Sequence, residues 1–253
     1  GKVANDEAIR TIVSTLGALE AKSFHEGKGV DVTGLDPAKA AKITVRNQDG
    51  ATTTLYVSAT SAGDGAVYAI VDSRYTVLSN GVKSKDEVFQ EQGKNLRRVE
   101  WKQEKPHSTY LTAIAIGQFE AVSVNEDLPS TIWVAPGRKD RAWVVVNELK
   151  SLWNFQVGYT GAKYGWPKLD IVALPRFFWS GMENTGLIFL RESKVSVEVK
   201  NDQLARPVVM SLLSNEMAHQ WFGNLVTMKW WDDVWLDEGL TTYLGEATFD
   251  DSN

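Results

Sequence analysis

The stretch Ser214-Asn215-Glu216-Met217-Ala218-His219-Gln220-Trp221-Phe222-Gly223-Asn224 decides the fold, and the rest of the chain is arranged around it. Pro207 suits the first turn of a helix, where its missing N–H would be unpaired in any case. Val208, Val209, Leu212, Leu213, Met217, Trp221 and Phe222 then leave the helix apolar on most sides, which places it inside the protein. Gly223-Asn224 supplies the stop. An interior helix does not carry Asn215, Glu216, His219 and Gln220 without cost. An unpaired buried polar group costs ~1–3 kcal/mol, and a buried charge more. These four side chains therefore need partners: a metal ion, water or another carboxylate.

On an α-helix, positions i and i+4 project from one face, so Asn215 and His219 share one. The HExxH motif of zinc proteases uses that spacing for two imidazoles, with the intervening Glu as base. Here Asn215 stands where the first imidazole belongs. Eighteen residues lie between His219 and Glu238, which sits in Trp235-Leu236-Asp237-Glu238-Gly239. Asp232 or Asp233 can start a second helix, and two antiparallel helices would bring Glu238 towards His219. Imidazole and carboxylate ligands with one position left open are how catalytic zinc is held. In such a site Glu216 would take the proton of the water. The spacing leaves a second reading open, in which a His and a Glu on buried helices hydrogen-bond each other and serve stability alone.

At 253 residues the chain has room for one large or two small domains. A hydrophobic content of 43% and a charged content of 23% are those of an ordinary globular protein. The net charge of −5 argues against nucleic acid as a main partner. No apolar run is long enough for a membrane span, and Gly1-Lys2-Val3 does not open a signal peptide, so the given chain reads as soluble. Compartment and oligomeric state stay open. The absence of cysteine excludes disulfides, thiolate metal sites and cysteine nucleophiles. Of the three histidines, His25 and His107 sit in polar, turn-like surroundings and read as surface residues.

Along the chain, Asn5 or Asp6 can cap a helix carrying Ile9, Ile12, Val13, Leu16 and Leu19 at helical spacing, ending near Gly27-Lys28-Gly29. Ile43 and Val45 alternate up to Asn47-Gln48-Asp49-Gly50, a hairpin signal, with Leu55 and Val57 on the return strand. A turn over 61–65 leads into strand 66–71. Residues 1–75 thus read as a small module, a helix plus antiparallel meander, with no catalytic spacing. Residues 108–119 read as one long strand covered on both faces. A link from Pro129 leads to strand Ile132-Trp133-Val134. Asp140 is the expected cap of a helix over 141–155, with Val145, Leu149, Leu152 and Trp153 as its core stripe. Tyr164-Gly165-Trp166-Pro167 turns into strand 168–174. In Phe177-Phe178-Trp179-Ser180-Gly181-Met182-Glu183-Asn184-Thr185-Gly186, a Glu in a glycine-bounded loop can present its carboxylate and nearby amides to a peptide. Read locally, a solvated loop Glu is the favoured reading, since an exposed Glu is the usual case.

Together these segments resemble the aminopeptidase N-type zinc aminopeptidases, the gluzincin family that also includes leukotriene hydrolase. The likeness covers roughly residues 76–253. It is carried by Leu78-Ser79-Asn80-Gly81, Pro106-His107-Ser108-Thr109-Tyr110-Leu111, Tyr164-Gly165-Trp166-Pro167-Lys168-Leu169-Asp170 and Gly181-Met182-Glu183-Asn184, then by the stretch from Glu216 to Asn224 and by Trp235–Gly239. It implies an α+β fold: a β-rich N-terminal part followed by the first portion of a thermolysin-like α/β catalytic domain. Residues 76–128 would close the family's β-rich domain, and 129–253 would be the catalytic domain, incomplete at its C-terminal side. The resemblance also implies the roles. Glu183 would bind the free amino group of a peptide substrate, with Gly181 and Met182 giving backbone contacts. Glu216 would be the general base, and His219 and Glu238 the second and third ligands of one zinc ion.

Three departures qualify the likeness. Asn215 occupies the first ligand position, and a neutral amide oxygen suits hard cations better than zinc. The family's transition-state Tyr lies well beyond the third ligand, whereas Tyr243 is too near Glu238 to be it. Residues 1–75 do not match the family's N-terminal saddle. The expected function is therefore a zinc-dependent aminopeptidase acting on peptides with a free N-terminus, impaired here by Asn215. The alternatives are a non-catalytic peptide-binding or structural relative, and another cation held by Asn215, His219 and Glu238.

Overall fold

The computed structural model describes residues 41–46, 52–59, 66–91, 93–125, 128–175, 177–198 and 204–251. The expected helix between Asn5 and Gly27, the hairpin turn at 47–50, the turn at 61–65 and His25 lie outside them. The fold is α+β and divides into two compact units.

In the first unit, β1 (Ala41–Arg46), β2 (Thr52–Ala59), β3 (Ala66–Asp72), β5 (Val82–Glu91) and β6 (Lys94–Lys102) form an antiparallel sheet in the order β1-β2-β3-β6-β5. A second pairing joins β4 (Thr76–Ser79) to β7 (Ile114–Gly117), also antiparallel. The long strand expected over 108–119 is not formed. Residues Thr109–Leu111 make a 3-10 turn, and the strand begins only at Ile114. Side chains explain the break at its outgoing end. Asn80 Oδ1 accepts the Ala113 amide at 2.7 Å, and Ser79 Oγ donates to the Ala113 carbonyl at 2.7 Å. Both bonding groups of that residue are held by polar side chains instead of a ladder.

In the second unit, β8 (Glu120–Asn125), β9 (Leu128–Val134), β10 (Leu169–Leu174), β11 (Gly181–Met182) and β12 (Leu187–Arg191) run in the order β11-β12-β10-β9-β8. β10 is parallel to both β9 and β12, and β11 turns back antiparallel onto β12. The parallel centre accounts for the continuous apolar runs of β10 and β12, since strands covered on both faces need no alternation. Among the described residues three long helices complete the unit, α1 (Trp143–Thr160), α2 (Ala205–Ala218) and α3 (Trp235–Asp251), with a single helical turn at Glu192–Val195 after β12. Asp140 does not cap α1. It lies in a 3-10 turn, Lys139–Ala142, and the helix starts at Trp143 without a side-chain cap. α1 ends at Gly161, whose left-handed φ of 62° lets its amide reach the Val157 carbonyl.

The core joins Val145, Leu149 and Leu152 of α1 and Val209, Met210, Leu213 and Met217 of α2 to Ile171 and Ile188 of the sheet. Polar bonds fix the helix seam. Gln156 donates to the Ser214 carbonyl at 2.8 Å, and Ser214 Oγ to the Gly245 carbonyl at 3.1 Å. A Cβ on Gly245 would stand 3.2 Å from Asn215 Cα, so glycine lets α3 approach α2 closely beside Asn215. Among the described residues no helix is long and apolar enough to cross a membrane.

Candidate active site

α2 ends at Ala218, one residue before His219, whose amide still bonds the Asn215 carbonyl at 3.2 Å. The His219 ring is buried and contacted on two sides. Nδ1 lies 2.8 Å from Asp237 Oδ1, and Nε2 lies 3.9 Å from Glu238 Oε2. An ionised carboxylate only accepts, so Nδ1 carries the shared proton, and in the neutral ring the lone pair sits on Nε2, facing Glu238. Glu183, His219 and Asp237 also offer ligand-type atoms within 4.8 Å of one another. Because Asp237 Oδ1 already engages Nδ1, the side of the ring shared with Glu238 is the one left for a cation.

Glu216 is 6% exposed and lies against Gly181, where a methyl group would overlap its carboxylate. Burial pushes its pKa up to about 8, with the charges of Glu183 and Glu238 acting the same way against His219. Burial likewise raises Glu183, helped by Asp237 and Glu238 and opposed by His219 and its own backbone amide. For His219 burial disfavours the charged ring, but the Asp237 hydrogen bond and the charges of Glu183, Asp237 and Glu216 outweigh it, raising the pKa to about 9. Four carboxyl groups thus surround a single imidazole. A metal ion or a substrate ammonium would relieve their mutual repulsion.

The loop carrying Glu183 is tied to the helix stretch. Gln220 Nε2 and Asn224 Nδ2 both donate to the Glu183 carbonyl, at 2.9 and 2.8 Å. Gln220 Oε1 accepts the Gly186 amide at 2.9 Å. Lys168 binds the Gly186 carbonyl at 3.0 Å while pairing with Asp170, and burial lowers its pKa. Upstream, the Arg191 guanidinium gathers the carbonyls of Phe177, Phe178 and Trp179. Asn184 donates to the Leu111 carbonyl at 3.3 Å. Tyr110, next to Leu111, donates its hydroxyl to Asp237 Oδ2 at 3.4 Å and packs its ring 5.2 Å from that of Trp231.

Of the residues singled out by sequence, Gly181, Glu183, Glu216, His219 and Glu238 converge. Met182 sits in β11 opposite Phe189. Asn215 lies one turn before His219, partly exposed. His107 is half-buried, with Nε2 3.1 Å from Thr112 Oγ1. Sequence reasoning missed Asp237, Gln220, Asn224 and Tyr110. Gln220 needed a partner as a buried polar residue, but nothing in the sequence pointed to a backbone carbonyl 37 residues away.

Residues 145–253 match the Peptidase family M1 domain. The chain is 38% identical to bovine (Bos taurus) glutamyl aminopeptidase over 186 residues, covering 71% of this chain and 19% of the relative. It is 37% identical to a probable aminopeptidase 2 of Sulfurisphaera tokodaii over 144 residues, 56% of this chain and 18% of the relative. It is 36% identical to bovine endoplasmic reticulum aminopeptidase 2 over 157 residues, 57% of this chain and 16% of the relative. The chain therefore spans about a fifth of the length of these relatives. With the motif loop, the Glu216–His219 helix end and Glu238 gathered around one imidazole, the sequence matches place the chain in the M1 peptidase family, the aminopeptidase N-type metallopeptidases.

Proposed function

We propose that this chain carries the peptide-binding and cation-binding half of an aminopeptidase site, and that Asn215 weakens its hold on the cation. The observation that carries the reading is the Nε2 of His219, left open towards Glu238 at 3.9 Å while Nδ1 is engaged by Asp237. His219 and Glu238 fit a divalent ion such as zinc. Asn215 offers a neutral amide in place of an imidazole, so the donor set is one nitrogen short of a good zinc site. A bound ion would act as Lewis acid on a peptide carbonyl and acidify water.

The chain's own residues supply the rest. Glu183, held through its carbonyl by Gln220 and Asn224, accepts the ammonium of a peptide N-terminus. That fixes the first peptide bond relative to His219 and selects for a free N-terminus. Glu216 lies close enough to Glu183 to feel its charge, in space left open by the missing side chain at Gly181. Burial raises Glu216's affinity for protons, and it is the group placed to take up a proton and return it.

Asn215 favours a second reading, a peptide-binding relative without turnover. Leucine-anilide hydrolysis and short-peptide binding, measured with and without Glu183→Ala, test both. Turnover lost to chelator and to Glu183→Ala supports the enzyme. Saturable binding weakened by Glu183→Ala, without turnover, supports the binding protein. Peptide binding that ignores Glu183→Ala contradicts both.

A further inference from the structure

Asp237 directly precedes Glu238, yet its carboxylate meets the opposite edge of the imidazole. It is 4% exposed, with Oδ1 at His219 Nδ1 and Oδ2 receiving the Tyr110 hydroxyl at 3.4 Å. Gly223 makes room for it. At φ +106° this position is open to glycine, and a Cβ there would stand 2.5 Å from Asp237 Oδ1. Tyr110 is in turn steadied by Trp231. Each oxygen of Asp237 is committed to one partner, Oδ1 to His219 and Oδ2 to Tyr110.

We propose that Asp237 is a positioning residue for His219, with Tyr110 fixing Asp237 in turn. An imidazole free to rotate about its Cβ–Cγ bond can exchange its two nitrogens and its tautomers. An acceptor fixed at Nδ1 removes both freedoms and leaves Nε2 aimed at Glu238. Asp237 also lies in the first turn of α3, where a carboxylate stabilises a helix start without any role at the ring. That purely structural duty is what a test must separate. The proposal rests on the reading of His219 Nε2 as a cation ligand.

The test is imidazole nitrogen NMR of the metal-free chain, whose three histidines give three ring patterns, assigned by His219→Asn. The parent is expected to show a proton on His219 Nδ1 that exchanges slowly with water. Asp237→Asn keeps it, because the amide oxygen still accepts. Asp237→Ala loses it, and so does Asp237→Ser, which preserves a good helix-start residue but is too short to reach the ring. Tyr110→Phe speeds its exchange several-fold. A neutral ring whose single proton sits on Nε2, or Nδ1 protection that survives Asp237→Ser, overturns the proposal. Zinc titration of Asn215→His separates this from the functional reading. There Asp237→Ser should weaken zinc by about 10–100-fold. Unchanged affinity defeats the positioning role alone. Absence of zinc uptake defeats the functional reading, and the NMR result then decides the positioning role by itself.

Discussion

Gly181 and Glu216 occupy one another's space: the carboxylate of Glu216, from the end of α2, fills the volume that a side chain on Gly181 in β11 would take. This close fit adds to the Gln220 and Asn224 bonds to the Glu183 carbonyl in holding the loop and the helix in register.

Gly181→Ala should accordingly move Glu216 and leave the fold intact. The group that must yield is the far end of a flexible side chain, whose rearrangement costs on the order of 1 kcal/mol. Thermal melting should change by no more than a few degrees, while a crystal structure shows the carboxylate displaced. A variant that fails to fold would contradict this.

Gln220→Ala should be more costly. It strips a donor from the Glu183 carbonyl and the acceptor from the buried Gly186 amide at once. The Glu183 carbonyl keeps Asn224, but leaving the buried Gly186 amide without its acceptor costs about 1–3 kcal/mol, which at this chain length is a fall in Tm of about 2–12 °C. Calorimetry measures it, and peptide affinity through Glu183 should fall with it.

Gly223→Ala joins two penalties, a left-handed φ of +106° and an overlap with Asp237 Oδ1 at 2.5 Å. The conformational part alone is ~1–2 kcal/mol. Urea denaturation should show at least that loss, and Gly223→Asn, which tolerates left-handed backbone better, should recover part of the strain but not the overlap.

Acid sensitivity should arise in the first unit at Asp86. The Arg97 hydrogen bond, aided by Lys83, lowers its pKa from 3.8 to about 2 against a desolvation that raises it. A carboxyl group lowered on folding stabilises the protein above its unfolded value near 3.8, and that contribution disappears as the pH falls towards about 2. Screening of this partly exposed pair reduces its worth to about 1 kcal/mol. Asp86→Asn should therefore lower urea stability at pH 6 and converge with the parent near pH 2. A gap that persists at low pH would rule out the ion pair as its source.

The architecture of the second unit was legible because apolar runs and chemistry-bearing residues keep strict spacing. The Leu169–Leu174 and Leu187–Arg191 strands, the helix through Glu216 and the return of Glu238 to His219 follow from that. What was not legible depends on side chains reaching backbone across long separations. Asn80 and Ser79 capture Ala113 and cut short the strand expected over 108–119. Asp140 is a good helix cap by type, yet a 3-10 turn takes that place. Asp237 carries no role in the sequence reading beyond its place in Trp235–Gly239, and only the folded arrangement brings its carboxylate to Nδ1 of His219.

The proposed cation pocket has an amide, Asn215, where a second imidazole would complete it. Zinc content and affinity of the parent and of Asn215→His, measured by metal analysis after dialysis and by chelator competition, test it most directly. The account expects weak or substoichiometric zinc in the parent and one tightly held ion in Asn215→His, with affinity raised at least 10–100-fold. Equal zinc in both proteins, whether none or one, would contradict it.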